Sequence, residues 1–227
     1  MGLTNNLKEV LARIEAVAKS AGHESGAVRL VAVSKTKPAQ AVRDALTAGQ
    51  TLFGENYVQE SQTKIPEVGP GPVWHFIGHL QSNKAKIAVQ LFDVVQTVDR
   101  VKIAKALSRH AEEQGKTLGV LLQVNVGQEP QKAGCTEGDA PALAQAVAGL
   151  PGLKLMGLMT MPPFFDDPER ARPHFAALRE LSLLLAKDLP SGAMDELSMG
   201  MSGDFEAAIA EGATLVRVGT AIFGNRY

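Results

Sequence analysis

The sequence predicts a closed (β/α)8 barrel, and three observations carry that prediction. From residue 27 onward, short β-branched or leucine-rich runs alternate with longer segments of helical periodicity, the pattern of a parallel sheet with right-handed crossovers. Eight such units suit a barrel at its compact end. No composition break divides the 227 residues, and no strand candidate runs into the GxGxxG turn expected of the rival architecture, an open doubly wound sheet. The expected organisation is one domain over residues 1–227, with an extra helix at about residues 4–21 on its outside.

In chain order, Leu7, Val10, Leu11, Ile14, Val17 and Ala18 recur at helical spacing, and acids and bases are mixed throughout, so this opening reads as an amphipathic helix and not a targeting signal. Asn6, with Glu9 three residues on, stands where a capping box would start it. The Met-Gly start lacks the Ser or Thr at position 6 that myristoylation requires. Strand candidates follow at 29–35, 51–56, 73–78, 93–99, 119–126, 153–161, 196–202 and 214–223. Helix candidates lie at 39–49, 82–92, 99–115, 140–150, 172–189 and 203–212, and Gly49, Gly115, Gly192 and Gly212 stand where helix ends accept a positive φ.

Composition narrows the partner. Twenty-three basic and 24 acidic side chains leave a formal charge of -1 with no block of one sign, which argues against a nucleic-acid or membrane surface and for a small molecule. No apolar run is long enough to span a bilayer. The single cysteine, Cys135, cannot form an internal disulfide, and no Cys/His cluster has metal-site spacing, so the expected setting is the reducing cytoplasm.

In a barrel the chemistry collects at the C-terminal ends of the strands. Alternation along the first strand separates the two lysines of LVAVSKTKP. If Val31 and Val33 face the interior, so does Lys35, whereas Lys37 precedes Pro38 and belongs to a loop. Two roles are open to Lys35: pairing with a carboxylate such as Glu55, or, as a desolvated amine, capturing a carbonyl ligand as a Schiff base. Near the C-terminus, Ser202, Gly203 and Asp204 lead into a helix whose start can receive an anion, and Gly219 and Thr220 offer backbone and hydroxyl donors. Barrels often hold phosphate at these last two strands. Arg217 points the same way as Gly219, either to pair with Asp99 or Glu55 or to donate to a ligand ring nitrogen or carboxylate.

A lysine on the first strand, a phosphate cradle on the last two and an arginine beneath a planar ligand describe a pyridoxal 5'-phosphate (PLP) site. The motifs AVSKTKP, FGENYVQE, WHFIGHLQSNK, LSMGMSGDFEAAI and VRVGTAIFG resemble, in order, those of the pyridoxal phosphate homeostasis proteins of the YggS/PROSC type, which share the alanine racemase N-terminal barrel. The resemblance runs from about residue 5 onward. It implies that Lys35 is the Schiff-base lysine, that Ser202, Gly219 and Thr220 bind the cofactor phosphate, and that Arg217 faces the pyridine nitrogen. It further implies that Asn56 lines the pocket and that Met199 packs on the ring.

The resemblance leaves two functions open: a PLP carrier that supplies apo-enzymes, or a weak racemase-type enzyme. The related racemases use a tyrosine from a further domain as second base. The tyrosines here, Tyr57 and Tyr227, are not placed like it, and a monomeric carrier is the expected form. His79 in the GHLQ loop is the other partner in view for one-base chemistry by Lys35. Of the remaining features, Met156, Met159, Met161, Met199 and Met201 suit soft barrel filling as well as a cofactor contact, and Cys135 reads as an incidental surface or half-buried thiol. Residues 161–175, rich in proline with adjacent Phe164 and Phe165, read as a mobile loop able to cover the site.

Overall fold

A computed structural model describes residues 2–129 and 131–224. The first helix, α1 (Leu3–Ser20), turns Leu7, Val10, Ile14 and Ala18 inward and leaves Leu11 half exposed. Burial of Leu7, Val10 and Ile14 stabilises its docking by about 1.5–3 kcal/mol each. The barrel follows as β1 (Arg29–Val33), α2 (Ala39–Thr47), β2 (Leu52–Glu55), α3 (Val58–Val68), β3 (Val73–Phe76), α4 (Ala85–Leu91), β4 (Val94–Val98), α5 (Val101–Glu113), β5 (Leu118–Gln123) and α6 (Ala140–Ala148). It continues as β6 (Leu153–Met159), α7 (Arg172–Leu185), β7 (Glu196–Ser198), α8 (Phe205–Ala210), β8 (Leu215–Val218) and α9 (Thr220–Phe223). All neighbouring strands pair in parallel and in sequence order, and β8 returns to β1 to close the barrel. Among the described residues no helix is long and apolar enough to cross a membrane.

The sheet is buried on both faces, as crossover helices require. Leu30, Ala32, Phe53, Trp74 and Phe76 join the helices in one apolar layer, while the alternate residues fill the barrel. That interior is tight: a Cβ on Gly54 would lie 2.9 Å from Val31 Cγ1 and 3.0 Å from Ile77 Cδ1. The four glycines expected to adopt positive φ, Gly49, Gly115, Gly192 and Gly212, all do so.

Three local expectations are corrected. The cap of α1 is Gly2, and Asn6 lies inside the helix, where its Nδ2 donates to Ile222 O at 3.1 Å and ties α1 to α9. The eighth strand stops at Val218 because Gly219 leaves the extended region (φ -120, ψ -74), and its carbonyl then accepts from the N–H groups of Ile222 and Phe223. Residues 161–175 are only partly loop: a 3-10 turn spans Pro168–Ala171 and α7 begins at Arg172.

Candidate functional site

At the C-terminal ends of β1, β7 and β8 lies a cavity of about 320 Å³, lined by Val33, Lys35, Asn56, Ile77, Ser202, Gly203, Asp204, Arg217, Gly219 and Thr220. Met161, Phe164, Phe165 and Met201 form its apolar rim. The first strand ends at Val33 and not at Lys35 as expected; Lys35 stands in the turn that follows, on the same cavity wall as Val33, while Ala32 lies behind the sheet. The acid once in view for Lys35, Glu55, points the other way and is engaged by Ser34 and Lys64.

Arg217 stands in register with Val31, deeper in the barrel than Lys35, and is 3% exposed. Its Nη1 donates to Ser198 Oγ at 2.6 Å and its Nη2 to Thr160 O at 2.8 Å, and Asp99 is instead bonded to Arg100. Ser198 Oγ donates to Gln96 Oε1 at 2.6 Å, and Gln96 Nε2 lies 2.7 Å from His75 Nδ1. The row has a fixed sense. Arginine only donates, so Ser198 accepts from it and passes its own proton to Gln96, whose amide then donates to an unprotonated His75 Nδ1. His75 is accordingly neutral, with its pKa lowered to about 3 by burial and by the Arg29 charge. Burial also lowers the Arg217 pKa to about 10, against the opposing charge of Asp204.

Ser202 Oγ receives Gly219 N–H at 3.4 Å and Thr220 Oγ1 at 3.3 Å. Both contacts are long, so three polar groups converge on one point without saturating one another. The start of α8 contributes less than expected, because the N–H groups of Asp204 and Phe205 are already bonded to Met201 O. The Asp204 carboxylate folds back onto Met201 N at 2.6 Å, and burial raises its pKa.

PLP, the group implied by the resemblance, fits this donor set. The loose Ser202, Gly219 and Thr220 cluster suits a phosphate, and a backbone approach there is open, since nothing lies within 4 Å of a Cβ on Gly203. Asn56 Oδ1 is a buried acceptor with no protein partner among the described residues. Asn56 is held from behind: a Cβ on Gly78 would fall 2.0 Å from Asn56 O. Gly78→Ala is therefore expected to push Asn56 out of place and weaken cofactor binding by about tenfold or more, as in the loss from a displaced positioning group, read by calorimetric titration.

The remaining candidates separate clearly. Met199 is a correction: it is fully buried in the layer between barrel and helices and absent from the cavity lining, because Ser198 takes the inward position on β7. Met161 and Met201 reach the cavity instead. His79 and Tyr57 line a neighbouring recess of about 220 Å³ that shares only Asn56 with the main cavity. Cys135 is buried, with its thiol pushed up to about 12 by that burial. Phe165 stacks on His174 at 5.8 Å beneath the Arg170 guanidinium, leaving its neighbour Phe164 86% exposed at the rim. Tyr227 lies outside the described residues.

Residues 6–227 match the family described as alanine racemase, N-terminal domain. Among curated relatives, the pyridoxal phosphate homeostasis protein of Pseudomonas aeruginosa is 52% identical over 99% of this chain and 96% of its own length. That of Escherichia coli is 44% identical over 99% and 97%. The structure of PipY from Synechococcus elongatus with PLP bound is 40% identical and superposes with a TM-score of 0.82, covering 93% of this chain and 100% of that one. Alanine racemase from Corynebacterium glutamicum, 18% identical, shares the fold at a TM-score of 0.74, but this chain covers only 62% of it.

Proposed function

The chain belongs to the alanine racemase N-terminal domain family and, within it, to the pyridoxal phosphate homeostasis proteins, and from that premise we propose that it holds PLP as a Schiff base on Lys35 and serves intracellular vitamin B6 homeostasis without catalytic turnover. The observation that carries this reading is the convergence of Lys35, Arg217 and the Ser202, Gly219 and Thr220 cluster on one cavity. The cofactor supplies an aldehyde carbon. Lys35 contributes the amine, and one water leaves as a C=N bond replaces C=O. Ser202, Gly219 and Thr220 hold the phosphate, and Asn56 orients the ring edge.

Two features favour holding over turnover. Arg217, with a pKa near 10, stays protonated at neutral pH and leaves a pyridine nitrogen without a proton, which makes the ring a weak electron sink. Among the described residues lining the cavity, the ionisable groups are Lys35, Asp204 and Arg217, so a tyrosine second base is lacking there. The cavity opens past the exposed Phe164, which suits a protein that hands its cofactor to apo-enzymes.

Incubating the PLP-loaded protein with a panel of amino acids in deuterated water tests this reading. No deuterium is expected at the amino-acid Cα above the level given by free cofactor. Incorporation that disappears in Lys35→Ala would instead establish a racemase-type enzyme.

A further inference from the structure

Behind the Lys35 wall, on the outer side of β1, lies an ion cluster that the cavity does not touch. Lys64 of α3 is 5% exposed, and its Nζ donates to Ser34 O at 2.8 Å, to Glu55 Oε1 at 2.9 Å and to Glu60 Oε1. All three ammonium protons are thereby used. The two carboxylates then reach back to the strand end. Glu55 Oε1 accepts from Ser34 Oγ at 2.7 Å, and Glu60 Oε1 accepts from the backbone N–H of Thr36 at 2.7 Å. The residue before Lys35 is held by its carbonyl and hydroxyl, and the residue after it by its N–H.

Thr36 needs that hold. Its φ is 64°, the left-handed region that costs a non-glycine residue about 1–3 kcal/mol and persists only where the surroundings enforce it. The cluster is also a poor source of stability. Glu55 is fully buried, its second oxygen has no partner among the described residues, and burial raises its pKa. Well-packed apolar side chains in place of such buried ions are often neutral or stabilising. An arrangement that is costly in this way, yet fixes the peptide groups on both sides of one side chain, is explained by what it positions.

We propose that Lys64, bridging Glu55 and Glu60, is a positioning residue that fixes Ser34 and Thr36 so that the Lys35 amine meets the cofactor aldehyde. This rests on the reading of Lys35 given above. Lys64 itself is not part of the lining of the Lys35 cavity.

The test compares PLP with pyridoxamine 5'-phosphate, which presents the same ring and phosphate but has no aldehyde for Lys35 to join. Both are titrated calorimetrically into wild type, Lys64→Met, Lys64→Arg and Glu60→Gln, with borohydride trapping followed by intact mass. In Lys64→Met, PLP affinity is expected to fall about tenfold or more, as for a reacting group displaced by a fraction of an ångström, while pyridoxamine 5'-phosphate affinity stays within about twofold. Lys64→Arg restores part of the loss. In a Lys35→Ala background, Lys64→Met has no further effect on PLP, because the coupling between the two positions is gone.

Equal weakening of both ligands, or an undiminished effect of Lys64→Met in the Lys35→Ala background, would overturn the proposal and leave Lys64 a purely structural residue. Should Lys64→Met lose its cooperative thermal transition, the partly exposed Glu60→Gln decides: a loss of about threefold confined to PLP supports the proposal, and an equal loss or none refutes it. If wild type gives no borohydride adduct at all, the reading of Lys35 falls first and the proposal falls with it.

Discussion

Lys35→Ala is expected to abolish the borohydride-trappable adduct with PLP entirely and to weaken PLP binding by roughly 100-fold, about 2.7 kcal/mol, while leaving a measurable non-covalent site. The physical basis is the division of labour in the cavity. On the reading proposed above, the phosphate falls to Ser202, Gly219 and Thr220, which meet one another at the ends of β7 and β8, and Arg217 is anchored by Ser198 and Thr160, so none of them depends on the Lys35 side chain. Lys35 lies beyond the last residue of β1, and its truncation removes no residue of the apolar layer, so the melting temperature should move little. Lys35→Arg keeps a cation but cannot condense, and should behave as Lys35→Ala does in trapping. The measurement is intact mass after reduction, beside the visible absorption band and a thermal melt. An adduct of undiminished yield in Lys35→Ala would move the chemistry to another lysine, and Lys37 would be the first to examine: its N–H bonds Ser34 O at 3.0 Å, which folds the loop back toward the strand end.

The separation of these two lysines was legible in the sequence because it depends on local rules alone. Alternation fixes Lys35 on the Val33 side, and Pro38 removes Lys37 from the strand. The same logic placed Arg217 correctly, as β8 alternates without interruption. The Met199 expectation came from the resemblance and not from alternation, and ELSMGMS has no local signal for which of Ser198 and Met199 faces inward. That choice is made by Arg217, whose guanidinium needs a buried acceptor and finds the Ser198 hydroxyl. Asn6 failed as a cap for a similar reason: its amide has a long-range partner in Ile222 O. Lys64 was invisible because α3 is polar, carries Pro66 inside it, and was not singled out as a helix; its role appears only when α3 packs against the end of β1. The barrel was readable from periodicity, whereas the polar groups that cross it or back it depend on pairings between distant strands.

The buried row that anchors Arg217 makes a second large effect measurable, in acid. His75 is 4% exposed, and its folded pKa is about 3 against an ordinary 6.5. The unfolded chain therefore binds a proton here that the folded one refuses. The corresponding stability is fully present above about pH 6.5 and is lost as pH falls toward 3, on the order of 5 kcal/mol in all. Two groups act in the opposite sense. Glu55 and Asp204 have folded pKa values raised by burial, so the stability they contribute is present in acid and lost as pH rises through those raised values. Total stability therefore mixes these contributions, and the variant His75→Gln separates them. Glutamine can still accept from Gln96 through its carbonyl, so the Arg217, Ser198 and Gln96 chain is kept while the titration is removed. Urea unfolding between pH 4 and pH 6 should show wild type losing about 1.4 kcal/mol more per pH unit than His75→Gln. The variant, less stable at pH 7 by about 1–3 kcal/mol through imperfect packing, should overtake wild type before pH 4. Parallel curves for the two proteins would mean that protonated His75 is accommodated in the folded barrel, and that the one-way sense of the hydrogen-bonded row is wrong.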